Sequence, residues 1–336
     1  MIDFEQLGYN EFWKNEFEAS CKELLGAKGV LEETAEYKRY VLGRVTSLDR
    51  NLPEVTTKDF VQRSELCAAI KKSDDSQIAV GDWVVLEQAK EHEHPIIVSV
   101  LCRRSKIARI KNVGRKNQIQ NQVLAANVNC VFVCQSLSGK GIDLDLLVRQ
   151  MVAVRAQNLD CIFIFTKADT VENEFIEAEC EKVRQVMPDE SIIISSLDDK
   201  EDALCAIKKL CSFGKTGFLL GESGVGKSSL INALVQESAQ KIAQVRKCDD
   251  KGRHTTVARR MLAIPNAGVI IDAPGLKTLQ ISNTKSTLSR AFPDIAAKAR
   301  NCRFADCNHD GVPGCAVQDA IAPKRLKAYL KLVKEL

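Results

Sequence analysis

Residues 221–228 run Gly221, Glu222, Ser223, Gly224, Val225, Gly226, Lys227, Ser228, a full match to G-x-x-x-x-G-K-[ST], with Ser229 next to it. Glycines at both ends allow a tight turn in which successive backbone N–H groups converge on a phosphate at a helix amino terminus. Lys227 would reach the β- and γ-phosphates of a nucleotide, and the Ser228 hydroxyl would hold Mg²⁺. Asp272-Ala273-Pro274-Gly275 supplies a D-x-x-G element after an apolar run. Asp272 would act on Mg²⁺ through a water, and the Gly275 N–H would sense the γ-phosphate.

Thr166-Lys167-Ala168-Asp169 is a T/N-K-x-D segment that would read the base. A carboxylate at Asp169 accepts two hydrogen bonds side by side from the ring N–H and exocyclic amine of guanine, a pair that adenine lacks. Lys167 would lay its aliphatic stem along the ring. Ser195 and Ser196, after the next apolar run, are placed to donate to the guanine carbonyl. In an ordinary GTPase the phosphate loop precedes the base-reading segment, and here the order is reversed. A circular permutation is implied, and an α/β sheet tolerates one because its nucleotide contacts sit on loops at the carboxyl ends of strands.

Between the phosphate loop and D-x-x-G lies Gly252-Arg253-His254-Thr255-Thr256. A threonine here could close over Mg²⁺ and the γ-phosphate; spacing does not separate Thr255 from Thr256, and Thr256 is the favoured one. Leu276 occupies the place where a typical GTPase has the glutamine that orients the attacking water. Hydrolysis is therefore intrinsically slow or another group assists. His254 is the nearest candidate in sequence, and a solvated loop histidine is the competing reading.

Cys302, Cys307, His309 and Cys315 follow as C-x4-C-x-H-x5-C. Three thiolates and one imidazole are the ligand set of a structural Zn²⁺ site, with no position left open for catalysis. Gly311, Pro313 and Gly314 supply the turns such a loop needs.

The elements that must position these residues follow from periodicity. Residues 1–35 are acidic and helix-prone. Short strand-like runs then occur at Tyr40–Val45, Leu66–Ile70, Asp82–Leu86 and Ile96–Leu101, a spacing that suggests an OB-fold barrel. Cys102–Lys116 contains Arg103, Arg104, Lys106, Arg109, Lys111, Arg115 and Lys116 and no acid, so it is either a solvated linker or a strip that contacts phosphates. From about Asn117 strands and helices alternate, which predicts a mostly parallel sheet with helices on both faces. Ile142–Gln157 reads as a helix with Leu144, Leu147, Val148, Met151 and Val154 on its apolar stripe and Gln150 off it. A basic helix is expected around Lys324–Lys334.

The 336 residues have a net charge of +4 and contain 13 cysteines, several of them (Cys130, Cys134, Cys161, Cys205, Cys211) inside apolar runs. These read as small buried hydrophobes in a reducing compartment. Nowhere are there eighteen consecutive apolar residues, and the amino terminus has no basic flank or apolar segment of a leader. A cytoplasmic monomer with no membrane association is the expectation.

The order T-K-A-D, S-S-L, G-x-S-G-V-G-K-S-S, G-R-H-T-T, D-A-P-G and C-x4-C-x-H-x5-C closely resembles the ribosome small-subunit-dependent GTPase A (RsgA) family. Gly81-Asp82-Trp83-Val84 and Ala125-Ala126-Asn127 extend the likeness, which covers nearly everything from about Gly43 onward. The resemblance implies an α/β P-loop GTPase domain, circularly permuted, with an amino-terminal OB-fold barrel and a small carboxyl-terminal zinc-binding α module. Expected boundaries are a helical extension at 1–35, the barrel at 36–105, the permuted GTPase domain at 106–282 and the zinc domain at 283–336. It further implies hydrolysis of GTP to GDP and phosphate in late maturation of the small ribosomal subunit. Stimulation by that subunit and its rRNA is part of the expectation. In the family an apolar residue stands where Leu276 does, and the histidine matching His254 is a catalytic candidate. This chain departs from the pattern at Ala273, where Thr is usual, and at Thr166, where Asn is common. Leu276 also motivates a second reading, a GTP-switched RNA-binding module without significant turnover.

Overall fold

A computed structural model of the chain describes residues 3–26, 37–49, 52–72, 77–88, 93–113, 118–196, 201–236, 259–273, 279 and 284–335. The amino-terminal segment leads into helix α1 (Glu11–Leu25), whose first turn is capped by the Asn10 carboxamide oxygen accepting from the Phe12 N–H. Trp13 of this helix is buried and stacks on Trp83 at a centroid distance of 5.4 Å, while Phe4 meets the same indole edge-on at 5.3 Å. Such aromatic pairs add about 0.5–1.5 kcal/mol each beyond area burial. Trp83 thus docks the extension onto the barrel.

The barrel strands are β1 (Tyr40–Asp49), β2 (Leu52–Thr57), β3 (Val61–Arg63), β4 (Glu65–Leu66), β5 (Trp83–Glu87) and β6 (Ile96–Val100). The expected strand at Leu66–Ile70 is only partly one: the chain leaves β4 and turns into a short helix, α2 (Ala68–Lys72). Strand β1 changes partners along its length. Residues 40–44 pair with β5, residues 43–49 with β2, and the register slips between Val45 and Ser47. A slip of this kind bends a strand and sharpens its twist.

The basic strip does not run as a linker. It enters a two-stranded hairpin, β7 (Lys106–Val113) and β8 (Gln118–Ala126). Arg103 is drawn inward to chelate the fully buried Asp82 at 2.7 Å through both Nε and Nη2. Its neighbour Arg104 lies over the Phe12 ring. Sequence periodicity misses both hairpin strands, because polar residues dominate them.

Beyond β8 come β9 (Cys130–Ser136), α3 (Leu144–Arg155), β10 (Asp160–Thr166), α4 (Asn173–Arg184), β11 (Ser191–Ile194), α5 (Glu201–Leu210), β12 (Thr216–Gly221), α6 (Lys227–Gln236), β13 (Arg259–Ala263) and β14 (Val269–Asp272). Strands β11, β10, β9, β12 and β14 are parallel neighbours in that spatial order, and β13 is antiparallel to β14. Consecutive strands β9, β10 and β11 step one way from the centre, and β12 and β14 step the other way. The switch point lies between β9 and β12, where open α/β sheets bind ligands. The sheet does not end at β13. Its outer edge pairs with β1 of the barrel, Ser47 opposite Arg260 and Leu48 opposite Arg259, so barrel and α/β unit share one continuous sheet.

Of the five cysteines in apolar runs, Cys130, Cys134, Cys161 and Cys211 are buried as periodicity predicts, and burial pushes the Cys134 thiol up to about 12 and the Cys211 thiol up to about 11. Cys205 is the one of these five that is not. It is exposed, because Ala203, Leu204 and Ile207 are the residues of α5 that turn inward. Gln150 departs the other way: it is 2% exposed, and its Oε1 accepts the Leu279 N–H at 3.1 Å. A polar side chain in a core is tolerated when it is bonded in this way.

The carboxyl-terminal unit consists of α7 (Lys285–Ala291), α8 (Pro293–Ala299), a loop carrying the cysteines, and α9 (Pro323–Val333). The basic residues of α9 dock it. Arg325 is buried, makes a bidentate pair with Asp294 at 2.7 Å, donates to the Val186 carbonyl at 2.6 Å and lies over Phe292. Lys331 pairs with Asp145 of α3, and Glu335 just beyond α9 pairs with Arg149. Among the described residues no helix is long and apolar enough to cross a membrane.

Candidate functional site

The chain leaves β12 at Gly221, whose φ is +153° and where a Cβ would lie 2.6 Å from the Cys134 carbonyl. Only glycine fits there, so β12 can run flush against β9 before the loop lifts away. Helix α6 begins at Lys227, and the N–H groups of its opening turn have no acceptor within the helix. Glu222, Ser223, Gly224, Ser228 and Ser229 are exposed around that turn, while Val225 and Gly226 are half-buried. The arrangement can cradle an anion.

The Lys227 ammonium donates to the Gly221 and Glu222 carbonyls, each at 2.6 Å. Burial lowers its pKa, against the opposing pull of Cys134, Asp272 and Glu222. Asp272 ends β14 beside it. Burial pushes that carboxyl up, and Lys227 works in the other direction. The two groups therefore feel one another across the mouth of the loop, as a phosphate-binding lysine and a metal-directed carboxylate would have to.

Thr166 ends β10 and is buried. Its hydroxyl donates to the Val225 carbonyl of the phosphate loop and lies 3.2 Å from the Gln135 carbonyl. The departure from Asn at this position therefore leaves the connection to the phosphate loop intact. Lys167 adopts a left-handed backbone, φ 58°, which turns the chain away from the strand into a short 3₁₀ turn over Ala168–Thr170. That turn is tied to the next strand: the Ala168 N–H donates to the Ser195 carbonyl at 3.3 Å, and the Ser195 N–H to the Phe165 carbonyl at 2.8 Å. Asp169 and Ser196 line the same open cleft, of about 600 Å³. Phosphate loop, Asp272, Thr166–Asp169 and Ser195–Ser196 all lie at the carboxyl ends of strands, as the sequence order requires. His254, Thr256, Gly275 and Leu276 lie outside the described residues, as do Arg115 and Lys116.

At the far end of the chain, one ligand atom from each of Cys302, Cys307, His309 and Cys315 lies within 4.8 Å of all the others. The Sγ atoms of Cys302 and Cys315 are 3.9 Å apart, and His309 Nδ1 stands 3.6 and 3.4 Å from them. A tetrahedral zinc with bonds of about 2.3 Å to sulfur and about 2.0 Å to nitrogen has edges of about 3.8 and 3.5 Å. The four residues fit such an ion. Burial lowers the His309 pKa, favouring the neutral imidazole that ligation needs. Burial opposes ionisation of Cys315, yet the Gln318 and Val317 N–H groups and the neighbouring thiols hold it below its ordinary value.

Two positioning contacts escape the sequence reading. Gln150 holds Leu279, seven residues beyond Asp272, and no spacing rule marks a glutamine for that task. The other is β13 itself, whose Arg259-Arg260 start obscures a strand that forms half of the sheet's link to the barrel.

The RsgA GTPase family profile matches residues 100–282. The "Small ribosomal subunit biogenesis GTPase RsgA" of Methanosarcina acetivorans is 36% identical over 302 residues, covering 88% of this chain and 80% of the relative. The protein of the same name from Streptomyces coelicolor is 34% identical, covering 87% of this chain and 80% of the relative. Among solved structures, YjeQ from Thermotoga maritima superposes with a TM-score of 0.66 at 24% identity, over 88% of this chain and 98% of that one. YloQ, described as a circularly permuted GTPase, superposes at 0.63 with 22% identity, over 92% of this chain and 97% of that one.

Proposed function

The chain belongs to the RsgA GTPase family, and from that premise we propose that its GTP hydrolysis serves late maturation of the small ribosomal subunit, with that subunit as partner and activator. The observation that carries this reading is the shared name of relatives at 34–36% identity over most of this chain. In the proposed site, Gly221–Ser229 cradles the phosphates, Lys227 neutralises the β- and γ-phosphates, and Asp169 with Ser195 and Ser196 selects guanine. Ser228 and Thr256 would hold the Mg²⁺ that a GTPase uses, and Asp272 would act on it through water. Gly275 would sense the γ-phosphate. Cys302, Cys307, His309 and Cys315 would hold one structural Zn²⁺.

The molecular surface supports an RNA partner. A cleft of about 870 Å³ runs between the barrel, the end of α3 and α7, lined by Arg104, Lys106 and Arg290, by the Asp82-bound Arg103 and, among the described residues, by no acidic one. Cations contributed by separate modules to one cleft are what a phosphodiester backbone would engage. Coupling would be reciprocal: if RNA favours the triphosphate-bound state, the triphosphate strengthens RNA binding by the same factor.

The test is GTP turnover by the purified chain alone, with small subunits, and with large subunits or free RNA as controls. Slow basal turnover with strong stimulation by small subunits only is the expected result. Turnover that no ribosomal particle alters, with GTP still bound, would overturn the proposal in favour of a nucleotide-switched binding module.

A further inference from the structure

Residues 3–10 carry no motif, yet they touch three parts of the molecule at once. The Gln6 carboxamide Nε2 lies 2.8 Å from the Ile264 carbonyl, 2.9 Å from that of Ala267 and 3.3 Å from that of Gly268. These three carbonyls belong to the turn of the β13–β14 hairpin. The next residue is held by the barrel: the Leu7 carbonyl accepts from Arg44 Nη1, and Arg44, fully buried in β1, also donates to Gly81 at 3.2 Å and Asn127 at 3.1 Å. Gly8, at φ +90°, runs so close to the loop after α5 that a Cβ would stand 2.8 Å from the Gly214 carbonyl. That loop in turn fixes the hairpin, because the Gly268 N–H donates to Cys211 at 2.7 Å and the Val269 N–H to Lys215 at 2.9 Å.

The hairpin so gripped ends on Asp272, at the proposed nucleotide site. Strand β13 begins directly after residues 251–258, and β14 ends on Asp272. At its start β13 pairs with β1 through Arg259 and Arg260, and at its turn it meets Gln6. Two paired strands can shift relative to one another by slipping register, and a direct pairing of only two residues, Ser47 with Arg260 and Leu48 with Arg259, offers few backbone bonds against this. Gln6 opposes it, since a slip along β1 would pull the turn carbonyls away from the carboxamide.

We propose that the amino-terminal segment is a staple between barrel and GTPase domain, with Gln6 as the positioning residue that pins the register of the β13–β14 hairpin against β1. Displacements that nucleotide imposes on the hairpin then reach β1 and the barrel instead of being lost in sliding. The proposal rests on the reading that the Gly221–Ser229 site binds GTP.

The experiment uses the full chain with GDP or a non-hydrolysable GTP analogue and follows amide hydrogen exchange, with nucleotide affinity measured separately. In the wild type, exchange should differ between the two nucleotides both in the hairpin, 259–272, and in β1, 40–49. Gln6→Leu keeps the bulk and removes the donors. It should raise exchange in the hairpin turn about tenfold, as expected for losing one or two hydrogen bonds. It should also abolish the nucleotide-dependent difference in β1, with GTP affinity unchanged. Gln6→Lys places an ammonium among three carbonyls and should restore both signals, which a purely structural role for side-chain volume would not do. A β1 response that survives Gln6→Leu, or is absent from nucleotide-bound wild type, would overturn the staple. Failure to bind GTP at all would instead overturn the reading of the nucleotide site.

Discussion

The Thr166 hydroxyl bonds to the Val225 carbonyl, so a single short side chain links the end of the base-reading strand to the phosphate loop. Thr166→Val preserves shape and removes the donor. One neutral hydrogen bond is worth about 1 kcal/mol, so nucleotide affinity should fall about fivefold by equilibrium titration, and Thr166→Asn should recover it. Asp169→Asn tests the neighbouring contact. It replaces an acceptor pair with one acceptor and one donor, and should cost about 100-fold in GTP affinity while relaxing the choice between purines. Unchanged guanine preference in Asp169→Asn would remove the base-reading assignment. Both residues stand out as candidates in the sequence because their side-chain chemistry marks them. Gln6 and Gln150 were not, since an amide that bonds to main-chain groups distant in sequence leaves no local pattern.

Helix α9 is legible in the sequence as an element, while the partners of its basic residues are not. Its position and its basic character follow from sequence, whereas its acceptors lie far away along the chain. In the structure those residues meet Asp294, Asp145 and Gln185, acceptors scattered over the preceding helices. The Arg325–Asp294 pair joins α9 to α8, with Arg325 6% exposed and Asp294 37%. Arg325→Ala should cost about 2–3 kcal/mol, below the 3–5 kcal/mol of a fully buried pair because water reaches the carboxylate. Burial pushes the Asp294 carboxyl up, and the Arg325 hydrogen bonds outweigh this and hold it below the ordinary carboxylate value. A depressed acid contributes stability above its unfolded pKa, near 3.8, and loses it as pH falls through the lower folded value. Acid titration followed by a probe in α9 should therefore show the helix undocking in that range, and Asp294→Asn should erase the dependence. Regular strands β9, β10, β12 and β14 were evident as apolar runs. The β7–β8 hairpin and β13 were hidden because they pair through backbone while carrying charged and polar side chains.

Across the entire chain, the Cys/His cluster, the α/β unit and the barrel are joined both by buried contacts such as Arg325–Asp294 and by exposed pairs such as Lys331–Asp145. Cys307→Ala should reduce zinc by elemental analysis from one equivalent to a small fraction and destabilise the carboxyl-terminal unit by on the order of several kcal/mol, with nucleotide binding retained. Full zinc content in that variant would refute the four-residue centre. The order in which strands are joined carries a different consequence. The strands that flank β12, β14 and β13 in the sheet, β11-β10-β9 on one side and β1-β5-β6-β4 on the other, are all synthesised before those three. A growing chain therefore presents two open sheet edges, β9 and β1, until the last three strands emerge and bridge them. Unpaired edges invite association with other chains, and contacts between distant residues form slowly. The permuted order makes β12–β14 the keystone of an arch whose two sides are synthesised first, and the phosphate loop leaves the first strand of that keystone.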